Sequence, residues 1–106
     1  MTDAVATGEF APLTGRQARF LRGLGHGLEP RVTVGKEGVT DAVAASLDAN
    51  LSAHELVKVR IGPGCARDRR DVAGDLAARS GARVAQILGR TVLLYRAAGK
   101  PVILLP

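Results

Sequence analysis

Hydrophobic and polar residues follow distinct rhythms along this chain, and the changes of rhythm mark its elements. Between Leu13 and His26 the rhythm is helical. At about 100° per residue Phe20, Leu21 and Leu24 share one face, while Arg16, Arg19 and Arg22 fall on a stripe roughly 150° away. Thr14 followed by Gln17 has the form of a capping box, in which the hydroxyl accepts from a backbone N–H and the glutamine reaches back to the cap residue. The pattern predicts a first helix from about Gly15 to His26, ended by Gly25, Gly27 and Pro30. Residues 31–34 then alternate every second position, as a strand with one covered face does, before the abrupt turn Gly35-Lys36-Glu37-Gly38.

Thr40 is placed to cap a second helix with Asp41 in its first turn, and Val43, Leu47 and Leu51 recur at helical spacing to about Ala53. Leu56 to Ile61 reads as a strand with Val57, Val59 and Ile61 on one face and Lys58 and Arg60 on the other. A sheet with one wet side favours two layers over three. Gly62-Pro63-Gly64 ends that strand, and a third helix from about Asp68 to Ser80 turns Val72, Ala73, Leu76 and Ala77 inward and closes at Gly81. Residues 83–88 and 91–96 are predicted strands joined at Gly89-Arg90, where a glycine in the first turn position suits a type II′ hairpin. Val102 to Leu105 is a short apolar end that adds an edge or covers the core.

The expected fold is therefore α/β: an N-terminal helix, then β-α-β-α-β-β in a two-layer domain. Helical crossovers make the first three strands parallel neighbours or near-neighbours, and the hairpin makes the last antiparallel. Residues 1–12 show no sustained period and are expected to form a flexible leader ending at Pro12, with one domain over residues 13–106.

Composition narrows the function classes. With 46% hydrophobic and 24% charged residues in 106, the chain can bury a core and is not a disordered tail. Lys and Arg outnumber Asp and Glu by 15 to 10, and the pI is near 10.4, which points to a polyanionic partner, nucleic acid or an acidic membrane surface. Phe10, Phe20 and Tyr95 are the only aromatics, too few for recognition by base stacking. Cys65 is the single cysteine, so no intramolecular disulfide forms, and with only His26 and His54 beside it no zinc site is spelled out. A reducing compartment follows, and with neither a signal-peptide pattern nor an apolar run of about 20 residues the expected location is cytoplasmic.

Gly35-Lys36-Glu37-Gly38 is the main candidate site. It joins a strand to the start of a helix; its glycines let a polyanion backbone approach, and Lys36 adds a mobile charge. It is not a P-loop, because Val39-Thr40 stands where Lys-Ser/Thr would follow, and it is not a KH arrangement, because a strand leads in. Taken alone, such a turn merely connects two elements. Arg16, Arg19 and Arg22 taken alone are the solvated face of an amphipathic helix. Together they form a bias, since residues 14–36 hold five Lys/Arg against the single acid Glu29. Arg31, Lys58 and Arg60 on the open sheet face are a second candidate surface. Arg67, Arg69 and Arg70 oppose the dipole of the third helix and are either solvated or used on an anion, the former being the simpler reading.

Catalytic chemistry finds no foothold. His54 and Glu55 are adjacent on an extended segment and point to opposite faces, His26 is a helix-end residue, Cys65 lies beside Arg67 without partners, and Ser46, Ser52 and Ser80 have no elbow motif. No metal, cofactor or small-molecule substrate site is expected.

Several segments together resemble a known family. Leu13-Thr14 with Gln17, Leu21-Arg22 to His26, Leu28 with Pro30 and Val32, Gly35-Lys36 with Gly38-Val39-Thr40, His54-Glu55-Leu56-Val57-Lys58-Val59, and Gly89 with Leu94-Tyr95-Arg96 resemble the CRM domain, in its small stand-alone bacterial YhbY-type form. The resemblance covers residues 13–96 or beyond. It implies an RNA-binding domain with a four-stranded mixed sheet, similar to the C-terminal domain of bacterial translation initiation factor three. It also implies association with precursors of the large ribosomal subunit, plant members being linked to group II intron splicing. The basic loop Gly35, Lys36, Glu37 and Gly38 carries over as the RNA contact; Glu37 and Glu29 depart from the family pattern and weaken phosphate binding locally.

The expected function is thus non-catalytic binding of structured ribosomal RNA during assembly of the large subunit. Gly35 and Gly38 admit phosphates, Lys36 and loop N–H groups bind them, and Arg16, Arg19 and Arg22 extend the track. The rival is a protein-interaction adaptor that docks on a ribosomal protein or assembly factor through an apolar patch near Val102–Leu105. An RNA-modifying enzyme is a more distant third.

Overall fold

The computed structural model describes residues 12–106, so the expected leader lies, apart from Pro12, outside the described residues. Helix α1 spans Gly15–Gly25, strand β1 Val32–Val34, helix α2 Asp41–His54, strand β2 Leu56–Ile61, helix α3 Arg69–Ser80, strand β3 Arg83–Leu88 and strand β4 Thr91–Tyr95. They form one four-stranded mixed sheet in the order β1-β2-β4-β3. β1 pairs parallel with β2, and β4 pairs antiparallel with both β2 and β3. β3 therefore runs in the direction of β2 as a near-neighbour.

Local chemistry sets the helix ends. The Thr14 hydroxyl accepts from Gln17 N at 3.0 Å while Gln17 Oε1 accepts from Thr14 N at 3.1 Å, completing the capping box. Thr40 Oγ1 accepts from Val43 N to start α2, and Asp68 Oδ1 accepts from Arg70 N to start α3. Gly81, at φ 71°, ends α3 in the left-handed conformation. In the β3–β4 turn Gly89 has φ 58° and Arg90 does not share the positive sign, the pattern of a type II′ turn.

The main core lies between the sheet and the α2–α3 pair. Val32, Val34, Val57, Val59, Ile61, Val92 and Leu94 meet Leu47, Leu51, Val72, Ala73 and Leu76. The opposite face is not uniformly wet. Leu21 of α1 packs with Leu56, Ala85, Leu93 and Tyr95, and Leu13, Leu28, Ile103 and Leu105 close over them. The two-layer expectation describes the sheet over β1 and the far end of β2, where Thr33 and Arg60 are exposed; toward β4 and β3, α1 and the C-terminal segment add a partial third layer. Val102–Leu105 thus covers apolar surface and adds no strand.

Two details of α1 differ from the expected face. Leu21 and Gly25 are its buried residues, whereas Phe20 and Leu24 are 40% and 45% exposed. The reason is close approach: a Cβ built on Gly25 would stand 2.7 Å from a Leu93 methyl, so the helix meets the sheet along the Leu21–Gly25 line and leaves Phe20 and Leu24 at its side. The helix stops at Gly25, with His26 as its cap.

Candidate functional site

Because β1 and β2 are parallel, the loops that follow them leave the same edge of the sheet. The Gly35–Gly38 turn is closed by Gly38 N donating to Gly35 O at 3.0 Å, and Gly38 holds φ 77°, which a residue with a Cβ adopts only with strain. Gly35, Lys36 and Glu37 are exposed. Among the described residues Lys36 and Glu37 make no hydrogen bond or ion pair, so the tip offers two backbone N–H groups and an ammonium to an incoming oxyanion.

The pleat carries this site onto the sheet. Arg60 stands in register with Thr33 of β1 and Thr91 of β4, and Lys58 with Leu93 of β4. Arg31 N donates to Lys58 O, extending the β1–β2 pairing by one residue. Two residues further along the same face lie the exposed Gly35 and the buried Gly62, so the row ends beside the loop tip. Arg16, Arg19 and Arg22 are exposed on α1, whose contacts are with β2, β4 and β3. In sheet order Lys58 and Arg60 therefore come between the helix arginines and β1 with its loop.

Cations divide into two groups. Arg90 donates to Ile61 O, Gly62 O and Cys65 O at 2.9–3.1 Å, Arg96 to Asp48, Ser52 and Ser80 O, Arg69 to Gly89 O, and Arg79 to Asp41 and Asp75. These hold the protein together. The side chains of Arg16, Arg19, Arg22, Arg31, Lys36, Lys58 and Arg60 have no such partner among the described residues. Arg67 is intermediate: its NH1 pairs with Asp75 Oδ2 at 2.9 Å on a side chain 44% exposed. The Arg67 hydrogen bond, assisted by Arg79, holds the Asp75 carboxyl below the usual carboxylate range against the pull of burial.

Stacking and metal chemistry gain little from this surface. Tyr95 is buried, with the Arg83 guanidinium 5.3 Å from its ring centroid, and Phe20 is the other described aromatic. Among the described residues no group of three His, Cys, Asp or Glu is placed to hold a metal, and no helix is long and apolar enough to cross a membrane. A cavity of about 360 Å³ lies at the opposite end of β2, between the end of α2 and the C-terminal segment. Its Glu55 is committed: the carboxylate accepts from Ala98 N, Val102 N and Ile103 N at 2.8–2.9 Å.

Sequence reading did not single out the loop Gly62–Cys65 as part of this edge. The available clue was topological, since two glycine-bearing turns that follow parallel strands must emerge side by side.

Comparison with known proteins identifies the family and the fold. The CRS1 / YhbY (CRM) domain matches residues 13–96, the whole span from the first cap to Arg96. The chain belongs to this family. It is 42% identical over 84 residues to the Bacillus subtilis protein named "Probable RNA-binding protein YqeI", covering 79% of this chain and 88% of that one. A Haemophilus influenzae protein named "RNA-binding protein" is 32% identical over 94 residues, covering 89% of this chain and 95% of its own. The solution structure of the Staphylococcus aureus protein SAV1595 is similar at a TM-score of 0.77, with 30% identity, over 89% of this chain and 99% of that one. The CRM family thus accounts for the mixed α/β fold with its four-stranded mixed sheet.

Proposed function

We propose that this CRM-domain protein binds structured RNA through its phosphates, without catalysing a reaction, and that its target is ribosomal RNA in precursors of the large subunit. The observation that carries the reading is the Gly35–Gly38 turn: an exposed tip with an unpartnered Lys36, continuous with a face bearing the unpartnered Arg60 and Lys58. Relatives named as RNA-binding proteins support the class of partner. Ribosomal RNA as the target rests on the resemblance to stand-alone YhbY-type members.

In this mechanism Gly35 lets the backbone approach, Gly38 sets the left-handed turn that presents it, Lys36 and the tip N–H groups bind phosphate oxygens, and Glu37 keeps the tip from being uniformly attractive. Arg31, Lys58 and Arg60 continue the track across the sheet, and Arg16, Arg19 and Arg22 along α1. Phosphate contacts position the protein and read shape rather than sequence.

The test is a salt titration of binding to large-subunit ribosomal RNA fragments. The log–log slope falls by about one for Lys36→Ala, and by up to about three for the joint Arg16/Arg19/Arg22→Ala variant. A second reading, docking on a ribosomal protein or assembly factor, draws on Val102 and Leu104, which are 83% and 77% exposed. Slopes unchanged in both variants, with binding to assembly intermediates lost on Val102→Ser/Leu104→Ser, favour docking instead.

A further inference from the structure

The second loop lies against the first. A Cβ built on Gly64 would stand 3.5 Å from Lys36 Cβ and 3.9 Å from Lys36 N, and one built on Gly38 would stand 3.6 Å from Arg67 Cδ and 3.9 Å from its NH1. Gly62 N donates to Val34 O at 2.8 Å, tying the loop bases together. From behind, the Arg90 guanidinium grips three carbonyls of residues 61, 62 and 65, so the second loop is a fixed wall rather than a loose strap. The Arg67 guanidinium is thereby held at the back of the Gly35–Gly38 turn, half exposed, with one hydrogen bond to Asp75 from a group that has five N–H donors. Beyond it Arg70 is exposed, and its side chain has no partner among the described residues.

We propose that residues 62–70 form the second wall of the RNA site, with Arg67 as a phosphodiester ligand and Arg70 extending the contact along the start of α3. The proposal rests on the RNA-binding reading and adds to it a residue from the loop packed against the Gly35–Gly38 turn. Asp68, Asp71 and Asp75 on α3 and its cap, together with Glu37, oppose an anion here. Asp75 does so by competing with phosphate for the Arg67 guanidinium, so its removal frees that group and has the opposite effect from removal of Arg67. The pair is surface-accessible and contributes little to stability, which keeps both variants folded.

The experiment measures affinity and salt slope for large-subunit ribosomal RNA fragments with Arg67→Gln, Asp75→Asn and the double variant, alongside Lys36→Ala, each checked for fold by circular dichroism. Arg67→Gln is expected to weaken binding roughly tenfold and lower the log–log slope by about one. Asp75→Asn is expected to tighten binding by about two- to fivefold in the presence of Arg67 and by none in its absence. An unchanged slope for Arg67→Gln, or an Asp75→Asn gain that survives in the double variant, overturns the second wall. If Lys36→Ala still lowers the slope in that case, the RNA-binding reading stands; if no variant changes it, that reading fails as well.

Discussion

The Glu55 carboxylate accepts a hydrogen bond from Ile103 N at 2.8 Å, across 48 residues of sequence, and the same carboxylate holds Ala98 N and Val102 N. Glu55 itself sits at φ 64°, ψ −37°, a conformation that disfavours any residue with a side chain, at the join of α2 and β2. The buried acid thus pins the C-terminal segment over Leu56 and Tyr95. Burial pushes its carboxyl pKa up, but the N–H groups of Ala98, Ile103 and Val102 together bring it below its ordinary value of 4.5.

A carboxyl whose pKa is lower in the folded protein stabilises it above the unfolded value and loses that contribution as pH falls through the folded value. Glu55→Gln, which turns an amide donor toward a backbone N–H, is expected to cost about 1–3 kcal/mol at neutral pH. The gap between thermal melts of the two proteins should be steady above the ordinary value of 4.5 and narrow as pH falls below it through the lowered folded value. A gap that stays constant across that range would show that ionisation of Glu55 is irrelevant.

Arg90→Ala removes three part-buried bonds, to the carbonyls of Ile61 at the end of β2 and of Gly62 and Cys65 in the second loop. The expected loss is about 2–3 kcal/mol in urea unfolding. Arg90→Lys keeps the charge but not the fork, so it should recover less than half of that loss. Amide exchange at Cys65, whose N–H is bonded to Gly62 O, should rise in both variants; full protection in Arg90→Lys would mean that charge alone holds the loop.

Much of this fold was legible because its signals are local. Thr14 and Gln17 are three residues apart, the alternation of β2 is contained in six residues, and Gly89 marks its own turn. What was not legible depends on distant partners. Arg90 in a hairpin turn reads as a solvated cation, yet its acceptors lie 25–29 residues away; Glu55 beside His54 gives no hint of Ala98 or Ile103. The cover on the second face had a clue that the alternation of β2 hid. Val92-Leu93-Leu94-Tyr95 is apolar without alternation, as a strand buried on both faces is, and all four are buried. At the candidate site, the Gly35–Gly38 turn is visible as a string of residues, whereas its contact with Gly64 and Arg67 follows only from the parallel pairing of β1 and β2.

Two glycines in α1 should respond oppositely to the same change. Gly23→Ala meets nothing within 4 Å and gains helix propensity, so it should stabilise by about 0.5–1 kcal/mol. Gly25→Ala forces a methyl to 2.7 Å and 2.9 Å from the two Leu93 methyls, whose side chain is buried and has little room to yield. It should destabilise by about 1–3 kcal/mol, and chemical denaturation of the two variants in parallel decides it. Equal effects would mean that α1 does not rest on β4 through Gly25.

The two glycines of the candidate turn separate folding from binding. Gly38 has φ 77° and its nearest neighbour, Arg67 Cδ, would sit at an ordinary 3.6 Å, so Gly38→Ala carries backbone strain rather than a clash, about 1–2 kcal/mol of stability. Gly35 needs no positive φ, and a Cβ there would meet no protein atom within 4 Å, so Gly35→Ala should leave stability within about 0.5 kcal/mol. The new methyl instead occupies the open side of the turn, where the proposed mechanism brings a phosphate against bare backbone. Gly35→Ala should therefore unfold like the wild type while binding ribosomal RNA fragments more weakly. Wild-type affinity in that variant would mean that RNA does not approach the turn from the Gly35 side, and the contact would shift to Lys36 and its flank against Gly64.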